Sequence, residues 1–365
     1  MHITGLESVI LHKEVKNPVS DSLNTYDAGI TVVTKVFTNE GIVGYATTHF
    51  GRAKTGADIL KTTLDKHMGP LLLGEDPFFS RKIREKLWFG TEYFGVTGIA
   101  QFAIAAIDIA LWDIVGKAFG QPVCRVLGGV RDRIPAYAMA GWYYEDEKQY
   151  LKQCVAAAEE GFRALKIKVG KTSLEDDIRR IEAVRNELGA DFRLMVDANQ
   201  IFDEKEALRR GRVYQELGLF WYEEPLPVHL KESHARLAAA LDIPIAIGEN
   251  YYTRHQFAEA IRMNAGAIYQ PDNRRTGGVT EWLEIGAIAE ASGCKIASHG
   301  GGAANVNILC ALPNAIYLES GSLKHQDDGM HAARLQLVDG SILLPDVPGM
   351  GTEVREEYIA KYRIT

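Results

Sequence analysis

The chain has few cysteines, and none of them stand in a disulfide or metal-binding pattern. The four thiols are far apart, form no CxxC and lie among apolar residues, at Cys124, Cys154, Cys294 and Cys310. This distribution excludes a small disulfide-stabilised fold and a thiolate zinc site. We expect buried free thiols in a reducing compartment, and therefore a cytoplasmic protein.

The sequence also lacks the features that direct a protein to a membrane or to nucleic acid. Its first residues do not combine a cationic start with a long apolar run, so we expect no secretory signal. The most apolar stretch, 98–119, carries Asp108, Asp113 and Lys117, which predicts a buried helix rather than a membrane span. With a net charge of −7 and no polybasic run, we expect no membrane or nucleic-acid partner. A small anionic substrate stays compatible, because local lysines set the field of a cleft.

What the sequence does have is enough length and apolar content for two domains, with 365 residues of which 46% are apolar. Residues 1–50 alternate apolar and polar positions around turn residues at 39–41, and three helical patterns follow. We therefore expect residues 1–127 to form an α+β capping domain. Residues 128–325 are expected to form a barrel domain, and residues 326–365 to return to the first domain.

The barrel prediction depends on short apolar runs that alternate with helix-length segments. Eight candidate strands recur at the spacing of a TIM-type parallel barrel. They are 134–140, 164–169, 193–197, 220–223, 245–248, 267–270, 295–298 and 315–319.

Three of the predicted strands end in or near a carboxylate, and those carboxylates are equally spaced at Asp197, Glu223 and Glu249. Each one alone is more simply explained as a helix cap or a partner of a surface lysine. Three at successive strand ends would meet at the C-terminal mouth of a barrel. Hard oxygen donors in that number suit Mg²⁺, which prefers octahedral oxygen coordination.

Two lysines, Lys166 and Lys168, are two residues apart on a predicted strand, so both point to the same side. A strand with one solvated face would show the same pattern. In a barrel, however, that side is the packed interior, where lysines need anionic partners. We expect like-charge repulsion to lower their pKa values, which would make one of them a general base.

Further polar residues follow the later strands. Asp272 and His299 would stand at adjacent strand ends, where a carboxylate fixes the tautomer of an imidazole. A structural histidine is an equally good explanation of this pattern. Glu319 ends the eighth strand, as either a surface carboxylate or a protonated hydrogen-bond donor.

These residues together carry a resemblance to the enolase superfamily, in its mandelate racemase branch, over nearly the whole chain. The similar motifs are KIK at 166–168, VDAN at 196–199, EEP at 223–225, GEN at 248–250, QPD at 270–272 and SHG at 298–300. The resemblance implies an α+β capping domain on a modified (β/α)₇β barrel. It also implies a homo-oligomer, with an octamer as one candidate.

The resemblance also implies roles for the residues. One Mg²⁺ would be bound by Asp197, Glu223 and Glu249, with Lys168 and His299 as acid/base groups on opposite faces of a carboxylate substrate. Asp272 would orient His299, Lys166 would neutralise the substrate carboxylate, and Glu319 would donate a hydrogen bond as a carboxylic acid. This branch uses such groups to remove the proton next to a carboxylate, giving an ene-diolate.

Two bases permit more than one outcome after that step. Three polar loop regions, 49–52, 141–144 and 299–302, resemble those of tartrate or sugar-acid dehydratases and favour dehydration of a sugar acid or small hydroxy acid to a 2-keto-3-deoxy acid. The residues that we expect to contact the substrate are His49, Arg52, Tyr143, Tyr144 and Asn199. Racemisation or epimerisation is the alternative, together with cycloisomerisation of a sugar lactone or anhydro-acid. A scaffold without turnover is disfavoured by the complete set of site residues.

Overall fold

The N-terminal part of the chain forms an antiparallel sheet. The computed structural model describes residues 1–51, 53–144, 146, 148–326 and 329–364. The first three strands form a meander of neighbours, β1 (Ile3–Ser20), β2 (Thr25–Thr38) and β3 (Val43–Gly51). The central parts of β1 and β2 are buried on both faces. Ile10, Ile30 and Val32 pack into the main core, while Val9, Leu11 and Val33 pack into a second cluster on the other face, as expected for strands with a period of two.

Helices cover one face of this sheet. They are α1 (Lys54–Thr62), a π-helical turn (Thr63–Met68), α2 (Gly69–Leu72), α3 (Ser80–Gly90), a 3₁₀ turn (Glu92–Phe94), α4 (Ile99–Ala118) and α5 (Val123–Val126). The α4 helix is long and apolar enough to cross a membrane, but 83% of its most apolar window is buried inside the protein. It is the central helix of the capping domain.

The middle of the chain forms a closed parallel barrel. Its strands are β4 (Arg133–Gly141), β5 (Ala164–Lys168), β6 (Arg193–Asp197), β7 (Tyr222–Glu223), β8 (Ile245–Ile247), β9 (Ile268–Tyr269), β10 (Lys295–Ala297) and β11 (Ala315–Ser320). Each strand pairs with the next, and β11 pairs with β4 to close the barrel. The prediction of an eight-stranded parallel barrel with an α+β capping domain is confirmed.

Seven helices connect these strands within the described residues. They are α6 (Gln149–Glu160), α7 (Leu174–Leu188), α8 (Glu204–Glu216), α9 (Lys231–Ala240), α10 (Arg254–Arg262), α11 (Gly278–Ala291) and α12 (Ala303–Ala311). Their side chains and the outward residues of the strands share one continuous apolar core with α4. This alternation places every strand C-terminus at the same end of the barrel.

The C-terminal segment contacts both parts of the molecule. After α13 (Leu323–Gln326), β12 (Leu337–Val338) and β13 (Ser341–Leu343) form a hairpin that pairs antiparallel with β4. The chain then passes through α14 (Glu356–Tyr362) to β14 (Arg363–Ile364), which pairs with β1. The boundaries at 127 and 325 stay a prediction.

The capping domain contacts the barrel through a polar anchor between α4 and α11. Asp108 is buried, and it accepts hydrogen bonds from the backbone N–H and hydroxyl of Thr280 at 2.9 and 2.6 Å. Trp112 donates to the same hydroxyl at 3.0 Å. Burial raises the pKa of Asp108 to about 6, although the hydrogen bonds from Thr280 oppose this rise. Gly278 permits the close approach, because a Cβ there would lie 2.6 Å from Asp108 Oδ2.

We predict that Gly44→Ala destabilises the capping domain. A Cβ at Gly44 would lie 2.0 Å from the Ala110 carbonyl oxygen, so β3 and α4 would have to separate. Overpacking of this kind costs roughly 1–3 kcal/mol or more. The loss is measured by urea denaturation. Gly5→Ala in β1 is the matched control, because its Cβ would meet only Phe37 Cδ2 at 3.7 Å, and equal stability of both variants would contradict the prediction.

Candidate active site

The charged residues of the barrel stand above an apolar and aromatic layer in its interior. Tyr137 and Trp221 lie in that layer, with ring centroids 5.2 Å apart, together with Ala164 and Met195. Because side chains alternate along a strand, the residues two positions further along also point inward. Lys166 is two residues after Ala164 on β5, and Glu223 is two residues after Trp221. This alternation places the Lys166 and Glu223 side chains at the mouth of the barrel.

Strand register aligns the next layer. Lys168 pairs with Asp197 between β5 and β6, and Asp197 pairs with Glu223 between β6 and β7. Glu249 follows β8 and completes a triad of buried carboxylates. One oxygen from each of Asp197, Glu223 and Glu249 lies within 4.8 Å of the others. The structure therefore brings together the three predicted metal ligands.

The triad fits a hard divalent cation. All its donors are carboxylate oxygens, the type that Mg²⁺ prefers. Burial raises the pKa of Glu223 to about 8, and although Lys166 opposes this shift, the Asp197 and Glu249 carboxylates add to it. Crowded carboxylates of this kind are stabilised by a cation between them.

Hydrogen bonds fix the orientation of Glu223. Trp221 Nε1 and Gln270 Nε2 donate to its Oε2 at 3.0 and 2.8 Å, while Lys166 donates to its Oε1 at 2.5 Å. We had not predicted a role for Trp221 or Gln270. A sequence signal was available for Trp221, because it lies two residues before Glu223 on the same inward face.

Both predicted lysines lie inward and buried among carboxylates. Lys166 Nζ lies 2.5 Å from Glu223, 2.7 Å from Glu319 and 3.3 Å from Asp197. Lys168 Nζ donates to Asp197 Oδ2 at 2.5 Å. Each lysine ammonium is thus paired with carboxylates, and the repulsion between the two ammonium groups is offset by these pairs.

The expectation of lowered lysine pKa values is wrong for this arrangement. Burial does lower the pKa of Lys168, and Lys166 adds to that, but Asp197 and Glu249 outweigh both, so the pKa is raised. Burial likewise opposes the charge of Lys166, yet Glu223 and Glu319 hold its pKa well above the usual value. The sequence showed two neighbouring cations, whereas the fold supplies more anions around them.

His299 and Asp272 lie in contact, as predicted, at 2.7 Å between Nδ1 and Oδ2. The other ring nitrogen, Nε2, lies 3.5 Å from Glu249 Oε2. Burial lowers the pKa of His299, but the Glu249 carboxylate and the Asp272 hydrogen bond outweigh it and raise the pKa. Lys168 and His299 therefore contact different members of the triad, Asp197 and Glu249.

Arg274 is a site residue that we did not predict. Its Nε and Nη2 donate to the two oxygens of Asp272 at 2.9 and 2.6 Å, and its backbone N–H donates at 2.8 Å. Burial raises the pKa of Asp272, but Arg274 and His299 hold it well below its usual range. A Cβ at Gly300 would lie 2.6 Å from Arg274 Nη2, so the glycine of the SHG motif leaves room for this pair.

Glu319 is placed at the site, but not as the expected carboxylic acid. It accepts hydrogen bonds from Tyr137 Oη at 2.8 Å, Lys166 Nζ at 2.7 Å and the Gly300 N–H at 2.9 Å. Burial raises its pKa, yet Lys166 and His299 outweigh burial and lower the pKa to about 2. Glu319 is thus an ionised acceptor in this structure, and its protonation was wrongly expected.

The residues that were predicted to contact the substrate lie in different environments. Tyr143 is buried, and its hydroxyl bonds Asp177 at 3.3 Å and the Lys171 N–H at 3.2 Å. Tyr144 packs against the apolar core, where burial raises its pKa to about 12. His49 is exposed on β3, with Nδ1 2.7 Å from Thr31 Oγ1. Arg52 lies outside the described residues.

Asn199, the fifth predicted contact, lies next to the triad. Its N–H donates to Asp197 Oδ1 at 2.9 Å, and its buried Oδ1 has no hydrogen-bond partner among the described residues. Asn199, Gln200 and Glu224 all have positive φ, at 48°, 67° and 37°. Non-glycine residues in this region are uncommon and concentrate at functional sites. The loops after two of the ligand strands therefore have strained backbones.

Comparisons with known proteins agree with this geometry. Residues 6–128 match the family model for the "mandelate racemase / muconate lactonizing enzyme, N-terminal domain", and residues 149–358 match "enolase C-terminal domain-like". The chain is 34% identical to arabinonate dehydratase of Saccharolobus solfataricus, over 91% of this chain and 90% of that protein. It is 30% identical to D-galactarolactone cycloisomerase of Agrobacterium fabrum, over 100% and 99% of the two chains.

A solved structure is similarly close. The L-talarate/galactarate dehydratase of Salmonella typhimurium, with Mg and L-lyxarohydroxamate bound, superposes with a TM-score of 0.93 at 33% identity. The match covers 100% of this chain and 93% of that one.

We predict that Mg²⁺ affinity depends on pH through Glu223. Because its pKa without metal is about 8, binding below that pH must release a proton. The dissociation constant should therefore fall roughly tenfold per unit from about pH 6 to about pH 8 and then level off. Isothermal titration calorimetry in buffers of different ionisation enthalpy measures both the constant and the released proton. A constant that does not change over this range would contradict the prediction.

Proposed function

Because the chain belongs to the mandelate racemase branch of the enolase superfamily, we propose that it is a Mg²⁺-dependent acid-sugar dehydratase. The substrate would be a sugar acid or small hydroxy acid, and the product a 2-keto-3-deoxy acid. The observation that carries the proposal is the placement of Lys168 and His299 on different members of the carboxylate triad. Groups so placed can act on opposite faces of one bound carboxylate.

The first step is removal of the proton next to the substrate carboxylate. Such a proton is very weakly acidic, because the ene-diolate that forms carries concentrated negative charge. Mg²⁺ held by Asp197, Glu223 and Glu249 would supply Lewis-acid stabilisation of that charge. Lys166 contributes a second, fixed positive charge, since Glu223 and Glu319 hold its ammonium at the mouth of the barrel.

The second step uses the other face. His299, hydrogen-bonded through Nδ1 to Asp272, presents Nε2 to the site and can donate a proton to a leaving β-hydroxyl. Arg274 compensates the charge of Asp272, so the carboxylate orients the imidazole without taking its proton.

Asp197 and Glu249, the carboxylates that raise the pKa of Lys168, are also ligands that would hold Mg²⁺, and the charge of the ion would offset theirs. Lys168, neutral in that state, would be the base that removes the α-proton in the first step, or would exchange roles with His299 when the α-carbon has the opposite configuration.

Dehydration is favoured over the isomerase alternatives because arabinonate dehydratase and L-talarate/galactarate dehydratase are 34% and 38% identical to this chain, against 32% and 30% for two cycloisomerases. The similarity to D-galactarolactone cycloisomerase supports cycloisomerisation as the second candidate. Racemisation or epimerisation would use the same two bases, with reprotonation in place of water loss. All three reactions begin with the same proton removal.

We place the enzyme in the cytoplasm as a homo-oligomer, with an octamer as the candidate state. The four cysteines are free, and three of them are buried, which suits a reducing compartment. Large aromatic side chains are exposed around α3, including Phe79, Phe89 and Phe94. Exposed apolar groups of this kind are frequent at subunit interfaces.

We predict distinct defects for the two bases. Purified protein with Mg²⁺ is tested against arabinonate, galactarate and L-talarate, following 2-keto acid formation and α-proton exchange in D₂O by NMR. Lys168→Ala and His299→Asn should each lower net turnover by about 10²-fold or more, while one of them retains exchange from the other face. Lys295→Ala is the control, because Lys295 is exposed at the N-terminal end of β10.

The outcomes separate the candidates. Exchange in D₂O without 2-keto acid would replace the dehydratase by a racemase or epimerase. Full activity of either base variant would refute the assignment of roles. Absence of exchange across a broad panel of carboxylates would be the signature of a scaffold without turnover.

A further inference from the structure

We propose that Trp142 and Tyr26 are positioning residues for Lys168, and that through them the capping domain takes part in the chemistry at the Lys168 face of the site. Trp142 follows β4 of the barrel, and Tyr26 belongs to β2 of the capping domain. This inference rests on the proposed function, because the exchange assay that tests it requires Lys168 to remove the α-proton of the substrate.

The indole of Trp142 lies beside the Lys168 ammonium. Lys168 Nζ is 4.8 Å from the centroid of the ring, within the range of a cation–π interaction. The indole is itself held, because Nε1 donates to the Met139 carbonyl oxygen of β4 at 3.2 Å. Lys168 thus has two partners of different kinds, the Asp197 carboxylate and an aromatic ring.

Tyr26 supports the indole from the capping domain. The two rings meet edge to face, with centroids 5.5 Å apart and planes at 71°. Tyr26 Oη donates to Asp21 Oδ2 at 2.8 Å, and the other oxygen of Asp21 accepts from the N–H groups of Leu23 and Asn24. The ring of Tyr26 therefore has little freedom to move away from Trp142.

The segment that carries Asp21 is attached to the barrel at two points, the loop after β4 and the residue directly after Lys168. Ser20 and Tyr143 exchange backbone hydrogen bonds at 2.9 and 3.0 Å, which joins β1 to the residue after Trp142. Ser22 Oγ donates at 2.5 Å to the carbonyl oxygen of Val169, the residue after Lys168. These contacts set the distance between the capping domain and the end of β5.

The opposite face is arranged differently. His299 is oriented by Asp272, which is in turn held by Arg274, and all three residues belong to the barrel. The Lys168 face includes an aromatic pair that spans both domains, whereas the hydrogen bonds from Asp272 to His299 and Arg274 lie within the barrel. A change at the Trp142–Tyr26 pair should therefore affect the two faces unequally.

The test uses two acids that have a single α-carbon and differ only in its configuration, arabinonate and its C2 epimer ribonate, with Mg²⁺ in D₂O. Lys168→Ala first identifies the acid whose α-proton exchange depends on Lys168. Trp142→Ala should lower the turnover number for exchange of that acid by about 10- to 100-fold, the cost of misplacing a reacting group, and leave exchange of the other acid within about threefold. Tyr26→Leu should act in the same direction. Trp142→Phe, which keeps an aromatic face, should restore most of the activity.

A matched control separates positioning from loss of packing. Trp112 also lies where the capping domain meets the barrel, donating to Thr280, and Trp112→Ala should change exchange of both acids to the same degree. Equal losses for both acids in Trp142→Ala, or no loss in a folded variant, would overturn the proposal.

A structural measurement keeps this inference distinct from the proposed function. If the wild-type protein exchanges neither acid, the proposed function fails, and crystal structures of the wild type and Trp142→Ala decide the positioning role. Displacement of Lys168 Nζ from Asp197 in the variant would support it. An unmoved Lys168 would refute it.

Discussion

The arrangement of the barrel mouth depends on the ion pairs of Lys166. Its ammonium contacts Glu223, Glu319 and Asp197, all of them buried. A charge removed from water is tolerated only when partners replace its hydration, so each of these groups requires the others. Because Lys166 stands on β5, Glu223 on β7 and Glu319 on β11, the same contacts link strands from around the barrel. The charge network is thus both the proposed catalytic centre and a constraint on how the barrel closes.

Above this network the site is divided between two differently built faces. On one, Lys168 lies between a carboxylate and the indole of Trp142, and Tyr26 of the capping domain supports that indole. On the other, His299 is held by Asp272 and Arg274 within the barrel. Because Lys168 ends a barrel strand and His299 follows one, loops away from the Trp142–Tyr26 pair can vary without moving these two side chains. This division suits a family in which one first step leads to dehydration in some members and to isomerisation in others.

Tyr143 shows that loop composition alone does not determine where a side chain lies. It was expected to contact the substrate because it belongs to a polar loop at the end of a predicted barrel strand. Its hydroxyl is instead bonded to Asp177 and the Lys171 N–H, and its backbone joins the capping domain through Ser20. The neighbouring Trp142 has its ring beside the Lys168 ammonium. Strand periodicity does not extend into loops, so it cannot tell these two positions apart.

The sequence by itself determined the barrel and the identity of its charged residues. Alternation along each strand decides which side chains point inward, because this is a local property of the chain. The equal spacing of Asp197, Glu223 and Glu249 then assigns these carboxylates to the ends of successive strands. Only the tertiary structure decided the charge states and the supporting contacts. The pKa of Lys168 is raised and that of Glu319 is lowered because of partners far away in the chain. Arg274 and Tyr26 likewise acquire their roles from side-chain geometry and domain packing, which no local pattern encodes.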